Sequence, residues 1–110
     1  MRRVAAILGA LAVAAGAFGA HALEGRVTPD RLDTWHTAAT YHLLHAVALL
    51  ALGLAPAPRR LTSMLFVCGI LIFSGSLYTL VLLDMPILGA ITPLGGLCFI
   101  AGWLSLARGR

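Results

Sequence analysis

Four long apolar segments, separated by short polar or proline-containing stretches, dominate the pattern along the chain. They cover residues 4–23, 35–54, 61–83 and 87–107. A helix needs about 20 apolar residues to cross the hydrocarbon core of a bilayer, and each segment reaches that length. The pattern predicts one all-α membrane domain over residues 1–110, a compact bundle of four transmembrane helices.

The second segment begins with an additional polar turn. Thr28, Pro29 and Asp30 supply an N-cap, a proline at the first helical position and an acid in the first turn. The predicted helix therefore runs from Pro29 to about Leu54 and is about 39 Å long at 1.5 Å per residue. We expect it to tilt in the membrane, with its first turns above the hydrocarbon.

The composition agrees with a membrane domain. Hydrophobic residues make up 60% of the chain and charged residues 11%, whereas soluble domains have about 25% charged residues. The net charge of +4 does not indicate nucleic-acid binding, because the arginines stand at the ends of apolar segments and form no stripe. The expected partner is the lipid bilayer, and no nucleic acid is expected.

The arginines also predict an orientation. Arg26 and Arg31 fall on one side of the predicted membrane. Six arginines fall on the other side: Arg2, Arg3, Arg59, Arg60, Arg108 and Arg110. Cytoplasmic loops of membrane proteins carry the excess of basic residues, so both termini are predicted to be cytoplasmic.

The first segment has an alternative interpretation. Arg2 and Arg3 precede it, and Ala20-His21-Ala22 resembles a signal-peptidase site, so the segment also resembles a cleaved signal peptide. We favour a span, because the segment is long for a signal peptide and cleavage would leave only three spans.

Small residues on two of the predicted helices indicate close helix packing, because lipid supplies no hydrophobic drive for association. Ala12, Gly16 and Ala20 recur every four residues on one face of the first helix. The fourth helix carries Gly89, Gly95, Gly96 and Gly102. An alternative use of these faces is a homo-oligomer interface.

Polar side chains concentrate in the predicted outer half of the bundle. The members of this group are His21, Tyr41, His45, Ser74, Ser76, Tyr78 and Thr92. Polar and ionisable residues in spans face the bundle interior and are functional candidates. The leading hypothesis is a non-enzymatic protein that binds or passes a small polar solute, ion or proton through this group. The alternative is a structural or assembly protein whose polar groups only clamp the helices.

The fourth segment contains a predicted break. Pro93 lacks an N–H, so the carbonyl of Gly89 loses its helical partner, and Gly95 and Gly96 weaken the helix further. We expect a kink at Thr92-Pro93. Freed carbonyls at membrane depth bind ions in some proteins and are satisfied by neighbouring hydroxyls in others.

A metal or redox centre is a third hypothesis. Its candidate ligands are His21, His42 and His45, because imidazole suits both haem and divalent metals; His42 and His45 are three residues apart. The sequence has no phosphate-binding glycine loop, CxxC or HExxH, and no Ser-His-Asp set can be argued, so no enzyme is predicted. The first segment also lacks the embedded glutamate of the small multidrug-resistance transporters.

Four segments, in order and spacing, resemble one known family. They are Gly16–Leu23, then Thr37-Ala38 with Tyr41 and His45-Ala46, then Phe73–Tyr78, then Leu88–Pro93 with Gly95-Gly96. The family is domain of unknown function 423, which includes the YgdD-like bacterial proteins and eukaryotic transmembrane protein 256. The resemblance implies a four-helix protein of the bacterial inner membrane with no established activity. It also implies glutamine where this chain has His42, so a metal site there would be peculiar to this protein.

Overall fold

The four apolar segments form four long helices in a computed structural model of the chain, which describes residues 1–108. The spans are Arg2–Leu23, Pro29–Leu54, Arg60–Leu83 and Pro86–Ala107. Each is long and apolar enough to cross a membrane, so the predicted fold of four transmembrane helices is confirmed. The orientation of the termini stays a prediction, and Arg110, one of the arginines behind it, lies outside the described residues.

Three of the four spans are not regular α-helices from end to end. The first joins α1 (Arg2–Phe18) to a π-helical turn (Gly19–Leu23), and the second is α2 (Pro29–Leu54). The third joins α3 (Arg60–Gly69), a π-helical turn (Ile70–Ser74) and α4 (Gly75–Leu83), and the fourth joins a 3₁₀ turn (Pro86–Ala90) to α5 (Thr92–Ala107).

The start of α2 follows from its capping residues. Thr28 has an extended backbone, and its Oγ1 accepts a hydrogen bond from the backbone N–H of Arg31 at 3.2 Å. Pro29 stands in the first turn, where its missing N–H has no helical acceptor to lose. The expected start of this helix is therefore observed.

The break in the fourth span lies where the sequence predicts it but takes a different form. The chain ends a 3₁₀ turn at Ala90, and α5 starts at Thr92. Pro93 therefore stands in the first turn of a new helix instead of kinking the interior of one. The hydroxyl of Thr92 donates back to the carbonyl of Leu88 at 3.4 Å.

Glycines bring neighbouring spans into close contact. A Cβ added to Gly95 would lie 2.7 Å from the Cα of Phe73, so the fourth span lies directly against the backbone of the third. On the first span, a Cβ on Gly9 would lie 3.9 Å from Cβ of Ala46 in α2. The glycine face of the fourth span is thus used within the chain. On the face of the first span, Ala12 is buried, but a Cβ on Gly16 would have no contact within 4 Å and Ala20 is exposed.

The spans pack in the order first, second, third and fourth, which flattens the bundle. The first packs along α2, the fourth along the third, and α2 contacts the third. The molecule measures 46 × 26 × 16 Å along its principal axes. A core between the spans is formed by Ala5, Leu49, Phe66, Ile70 and Phe99.

Large apolar side chains cover much of the outer surface of the bundle. Ile7, Leu61, Leu71 and Leu104 are each more than half exposed. Soluble proteins rarely expose contiguous apolar patches this extensive, whereas lipid solvates them. This surface fits a bundle embedded in the bilayer.

The two ends of the bundle differ in charge. Arg2, Arg3, Arg59, Arg60 and Arg108 form what we call the basic end, where Nε of Arg2 donates to the carbonyl of Gly53 at 3.4 Å. The acidic end carries Glu24, Asp30, Asp33 and Asp84 together with Arg26 and Arg31.

Candidate functional site

The polar residues predicted as one cluster form several separate groups in the structure. His42 pairs with Tyr78, His45 pairs with Trp103, and Ser76 pairs with Thr92. Ser74 bonds to backbone, and no hydrogen bond of the His21 or Tyr41 side chain is present among the described residues. The His42–Tyr78 pair borders an open space of about 550 Å³, and Tyr41, His45 and Trp103 border a smaller one of about 290 Å³.

The His42–Tyr78 pair links α2 to α4. Nδ1 of His42 lies 2.9 Å from Oη of Tyr78, and His42 is only 5% exposed. Nε2 of His42 is buried and has no hydrogen-bond partner within residues 1–108. The backbone of Leu8 in the first span approaches the ring without meeting hydrogen-bond geometry. Native structures satisfy most buried polar atoms, so this nitrogen requires an explanation.

The pair always retains one unused donor. A neutral imidazole has one N–H and the tyrosine has one O–H, and their mutual hydrogen bond uses one of the two protons. If Tyr78 donates to Nδ1, then Nε2 of His42 carries a free N–H; if His42 donates, the Tyr78 hydroxyl proton is free. In the first case an acceptor complements Nε2 of His42; in the second, Nε2 is itself an acceptor and an incoming acceptor pairs with the Tyr78 hydroxyl.

A groove of about 550 Å³ separates the first span from the third, and the pair lies in its wall. Trp35 also lines it and packs against Tyr78 in a tilted arrangement, with 4.6 Å between ring centroids. Other lining side chains are apolar and include Leu8, Leu11, Phe18, Ile70 and Leu71. The volume is in the range of sites for small apolar ligands.

Trp35 belongs to the part of the groove wall that is nearest to the acidic end. Its Nε1–H donates to the carbonyl of Ala15 at 2.7 Å, which ties α2 to the first span. A Cβ on Gly19 would lie 2.5 Å from Cδ1 of Trp35, so the indole fits there only because residue 19 is glycine. Trp35 was not predicted as a site residue, because an aromatic side chain in an apolar segment usually indicates a core position.

His45 belongs to a different environment. Its ring stacks on Phe99 with 3.7 Å between centroids, and its Nδ1 lies 2.8 Å from the carbonyl of Tyr41. Trp103 donates to Nε2 of His45 at 3.0 Å. Both nitrogens are therefore engaged, although Trp103 was not a predicted site residue.

The serine and threonine side chains bond mostly across or along helices. Oγ of Ser74, which is fully buried, donates to the carbonyl of Ala38 at 2.8 Å. Ser76 and Thr92 hydroxyls lie 2.6 Å apart. A similar pair at 2.6 Å, Thr62 and Ser105, lies towards the basic end, away from the polar group predicted in the outer half.

Three predicted or considered residues lie away from the groove. Tyr41 is 43% exposed, stacks on Phe99 and packs at a tilt against Phe73, on the side of the bundle where Trp103 lies. His21 and His36 are exposed near the acidic end. Within residues 1–108, no three His, Cys, Asp or Glu side chains are close enough to share a metal ion.

Comparison with known proteins decides the family. Residues 15–96 match the family described as "Protein of unknown function (DUF423)". The chain belongs to the DUF423 family. The resemblance inferred from the four sequence segments is therefore confirmed, and the matched region includes both His42 and Tyr78.

Relatives of this DUF423 protein are similar over nearly their whole length. A UPF0382 membrane protein of Staphylococcus aureus is 45% identical over 108 residues, covering 91% of this chain and 88% of the relative. The UPF0382 membrane protein YwdK of Bacillus subtilis is 46% identical, covering 94% and 93%. One from Schizosaccharomyces pombe is 41% identical, covering 94% of each. No solved structure matches the chain. These names place the protein in a membrane and assign it no activity.

Proposed function

We propose that this protein binds a neutral, membrane-soluble molecule that has an apolar body and a carbonyl oxygen. The ligand lies in the groove between the first and third spans, and its oxygen accepts the unused proton of the His42–Tyr78 pair. The observation that carries the proposal is Nε2 of His42, buried without a partner beside this groove. A buried polar atom left unpaired costs about 1–3 kcal/mol, which a ligand acceptor would recover.

The depth of the pair selects the class of ligand. His42 lies midway along α2 (Pro29–Leu54), about 18–20 Å from either end of that helix at 1.5 Å per residue. The first turns of that helix project above the hydrocarbon, and Tyr78 lies five residues, about 8 Å, from the outer end of the third span at Leu83. The pair therefore lies in the outer half of the hydrocarbon core, below the interface. Ester carbonyls of phospholipids stay near the membrane interface. A molecule dissolved in the core, such as a prenyl quinone, fits this position.

The separation of the polar groups supports binding over passage. The His45, Ser74 and Ser76 hydrogen bonds are each local and complete, and the groove is mainly apolar. A solute, ion or proton path needs connected polar groups. His45 also gives haem or a divalent metal no support, because both of its nitrogens are hydrogen-bonded. The glycines of the fourth span already pack against the third span within the chain, and we make the proposal for a single copy.

The bacterial inner membrane is the proposed location. Staphylococcal and Bacillus relatives, which align over nearly their whole length and are named membrane proteins, support it. The Schizosaccharomyces relative indicates that the same architecture also serves a eukaryotic membrane.

The test uses Trp35 as a reporter in the groove. A Trp103→Phe background leaves Trp35 as the remaining tryptophan, and quinones quench tryptophan fluorescence on contact. Detergent-solubilised protein titrated with decylubiquinone is expected to show saturable quenching. A prenyl hydrocarbon without oxygen is expected to compete poorly for the same site.

The decisive variants remove both donors, because each single substitution leaves one proton available. His42→Leu/Tyr78→Phe is expected to weaken quinone binding about tenfold, the value of roughly one well-placed hydrogen bond. The matched control is His36→Leu/Tyr41→Phe, which makes the same chemical changes outside the groove and is expected to leave affinity unchanged. Equal losses in both double variants, or no saturable quenching, would contradict the proposal.

A structural role for the pair is the second candidate, and the Leu8 backbone favours it. A small shift of the first span would give Nε2 of His42 that carbonyl as a partner. His42 and Tyr78 would then only hold the first three spans together. In that case His42→Leu/Tyr78→Phe lowers thermal stability in detergent while quinone binding is absent from every variant.

A further inference from the structure

The arginines at the basic end of the bundle lie away from the groove and, in the part of the chain that the structure describes, have no acidic side chains near them. All four acidic residues of the chain lie at the acidic end, and the ion pair there joins Arg31 to Asp84 at 2.8 Å. Arg59, Arg60 and Arg108 have no aspartate or glutamate beside them. Their positive charge is therefore uncompensated by acidic side chains at this end of the protein.

Three of these arginines line one cavity. A cleft of about 290 Å³ between the third and fourth spans is lined by Arg59, Arg60 and Arg108, together with Thr62 and Ser105. A neighbouring cleft of about 360 Å³ between the second and third spans is also lined by Arg59 and Arg60. Arg59 and Arg60 thus line both clefts.

Arg59 has a buried donor without an acceptor. Its Nη1 is inaccessible to solvent and has no hydrogen-bond partner within residues 1–108. The nearby hydroxyls of Thr62 and Ser105 pair with each other at 2.6 Å, Ser105 also donates to the carbonyl of Gly102 at 2.7 Å, and neither hydroxyl is a partner of Nη1. A guanidinium is always charged, so a partner with negative charge is the group that satisfies it.

We propose that these clefts bind the phosphate group of an anionic phospholipid, with Arg59 as the central contact. Basic pockets between transmembrane helices at the cytoplasmic surface bind phospholipid head groups in this manner. The clefts lie at the ends of the spans, at the depth where head groups lie. Exposed apolar side chains such as Leu61 and Leu104, at the same end, provide a surface for the acyl chains.

Binding is measured on the full detergent-solubilised chain titrated with dioleoylphosphatidylglycerol in mixed micelles. Dioleoylphosphatidylcholine, which has the same acyl chains and no net charge, is the lipid control. Arg59→Gln is expected to weaken phosphatidylglycerol binding about fivefold or more, and Arg59→Gln/Arg60→Gln about 25-fold, on the basis of a typical contribution per arginine.

The matched protein control is Arg3→Gln. It removes the same charge at the same end but lines neither cleft, and it is expected to change affinity less than twofold. An equal loss in Arg3→Gln and Arg59→Gln would overturn the proposal in favour of diffuse attraction. So would equal binding of the two lipids, or full competition by inorganic phosphate at the concentration of the lipid. If Arg59→Gln does not fold, Arg60→Gln/Arg108→Gln, which changes two exposed side chains, provides the same comparison.

Discussion

The indole N–H of Trp103 donates to Nε2 of His45 across 3.0 Å, and this bond fixes the state of the histidine. Tryptophan is a donor only, so Nε2 must accept and the ring proton must lie on Nδ1. Nδ1 faces the carbonyl of Tyr41 at 2.8 Å, which is an acceptor only. The neutral Nδ1–H form therefore satisfies every polar atom of the ring, and His45 serves to join α2 to α5.

Removing the indole donor is expected to destabilise the bundle modestly. Trp103→Phe leaves Nε2 of His45 unpaired, and we expect a loss of about 1 kcal/mol, within the range of interhelical hydrogen bonds in membrane proteins. The measurement is the free energy of unfolding by SDS titration from detergent micelles. Tyr41→Phe is the control, because no hydrogen bond of its hydroxyl is present among residues 1–108, and an equal loss there would contradict the assignment.

Glycine substitutions are expected to follow a graded order. Gly95→Ala places a methyl group 2.7 Å from the Cα of Phe73, and backbone cannot move aside without separating the spans, so we expect a loss of about 2–3 kcal/mol. Gly102→Ala meets the Phe66 ring at 2.6 Å, which can rotate in part, and is expected to cost less.

Gly16→Ala is the control for this series. An added Cβ at Gly16 has no contact within 4 Å, and alanine favours the helix, so stability is expected to stay the same or rise slightly. Unfolding by SDS titration gives the three values on one scale. A Gly16→Ala variant as unstable as Gly95→Ala would show that the order does not arise from the contacts.

The spans were predictable because length and hydropathy act locally. A transmembrane helix needs about 20 consecutive apolar residues, so each span can be recognised from one continuous stretch of the chain. The start at Pro29 was equally local, since Thr28 directly precedes the helix and caps the N–H of Arg31, three residues along the chain. The position of the break at Thr92 was predictable, but its form was not. The missing N–H of proline can either kink the interior of a helix or stand without loss in the first turn of a new one.

The pairing of polar side chains was not predictable in the same way. Which residues of two spans meet depends on the rotation of each helix, and the π-helical turn at Ile70–Ser74 changes the rotation of everything after it. Tyr78 thereby reaches His42, while Ser76 reaches Thr92. The groove depends further on the gap between the first and third spans, which no single segment encodes.

Ser74 provides a test of whether buried serine contributes to the fold. Its hydroxyl donates to the carbonyl of Ala38, which can also accept its own helical hydrogen bond. Ser74→Ala therefore leaves no unpaired backbone group, and we expect a loss of only about 0.6 kcal/mol in SDS unfolding. Ser74→Val, which adds volume at a fully buried position, is expected to cost more. The opposite order would mean that the hydroxyl, and not the space, is decisive.

Asp84 has two roles, one through its backbone conformation and one through its charge, and two substitutions separate them. Its backbone is left-handed, with φ of 53°, and its carboxylate lies 2.8 Å from Arg31. Asp84→Asn keeps a residue that tolerates this conformation and removes only the charge. Because the Asp84 side chain is 83% exposed, we expect a loss of about 0–1 kcal/mol that shrinks further in high salt.

Asp84→Ala loses the same charge and adds backbone strain. Alanine in the left-handed region costs about 1–2 kcal/mol, so this variant is expected to be less stable than Asp84→Asn by roughly that amount. The difference is expected to be independent of salt, because it arises from sterics, whereas the ion-pair contribution is screened. Unfolding by a nonionic denaturant in detergent, at low and high sodium chloride, separates the two effects. Equal stability of the two variants would mean that the turn relaxes and that Asp84 acts through its charge alone.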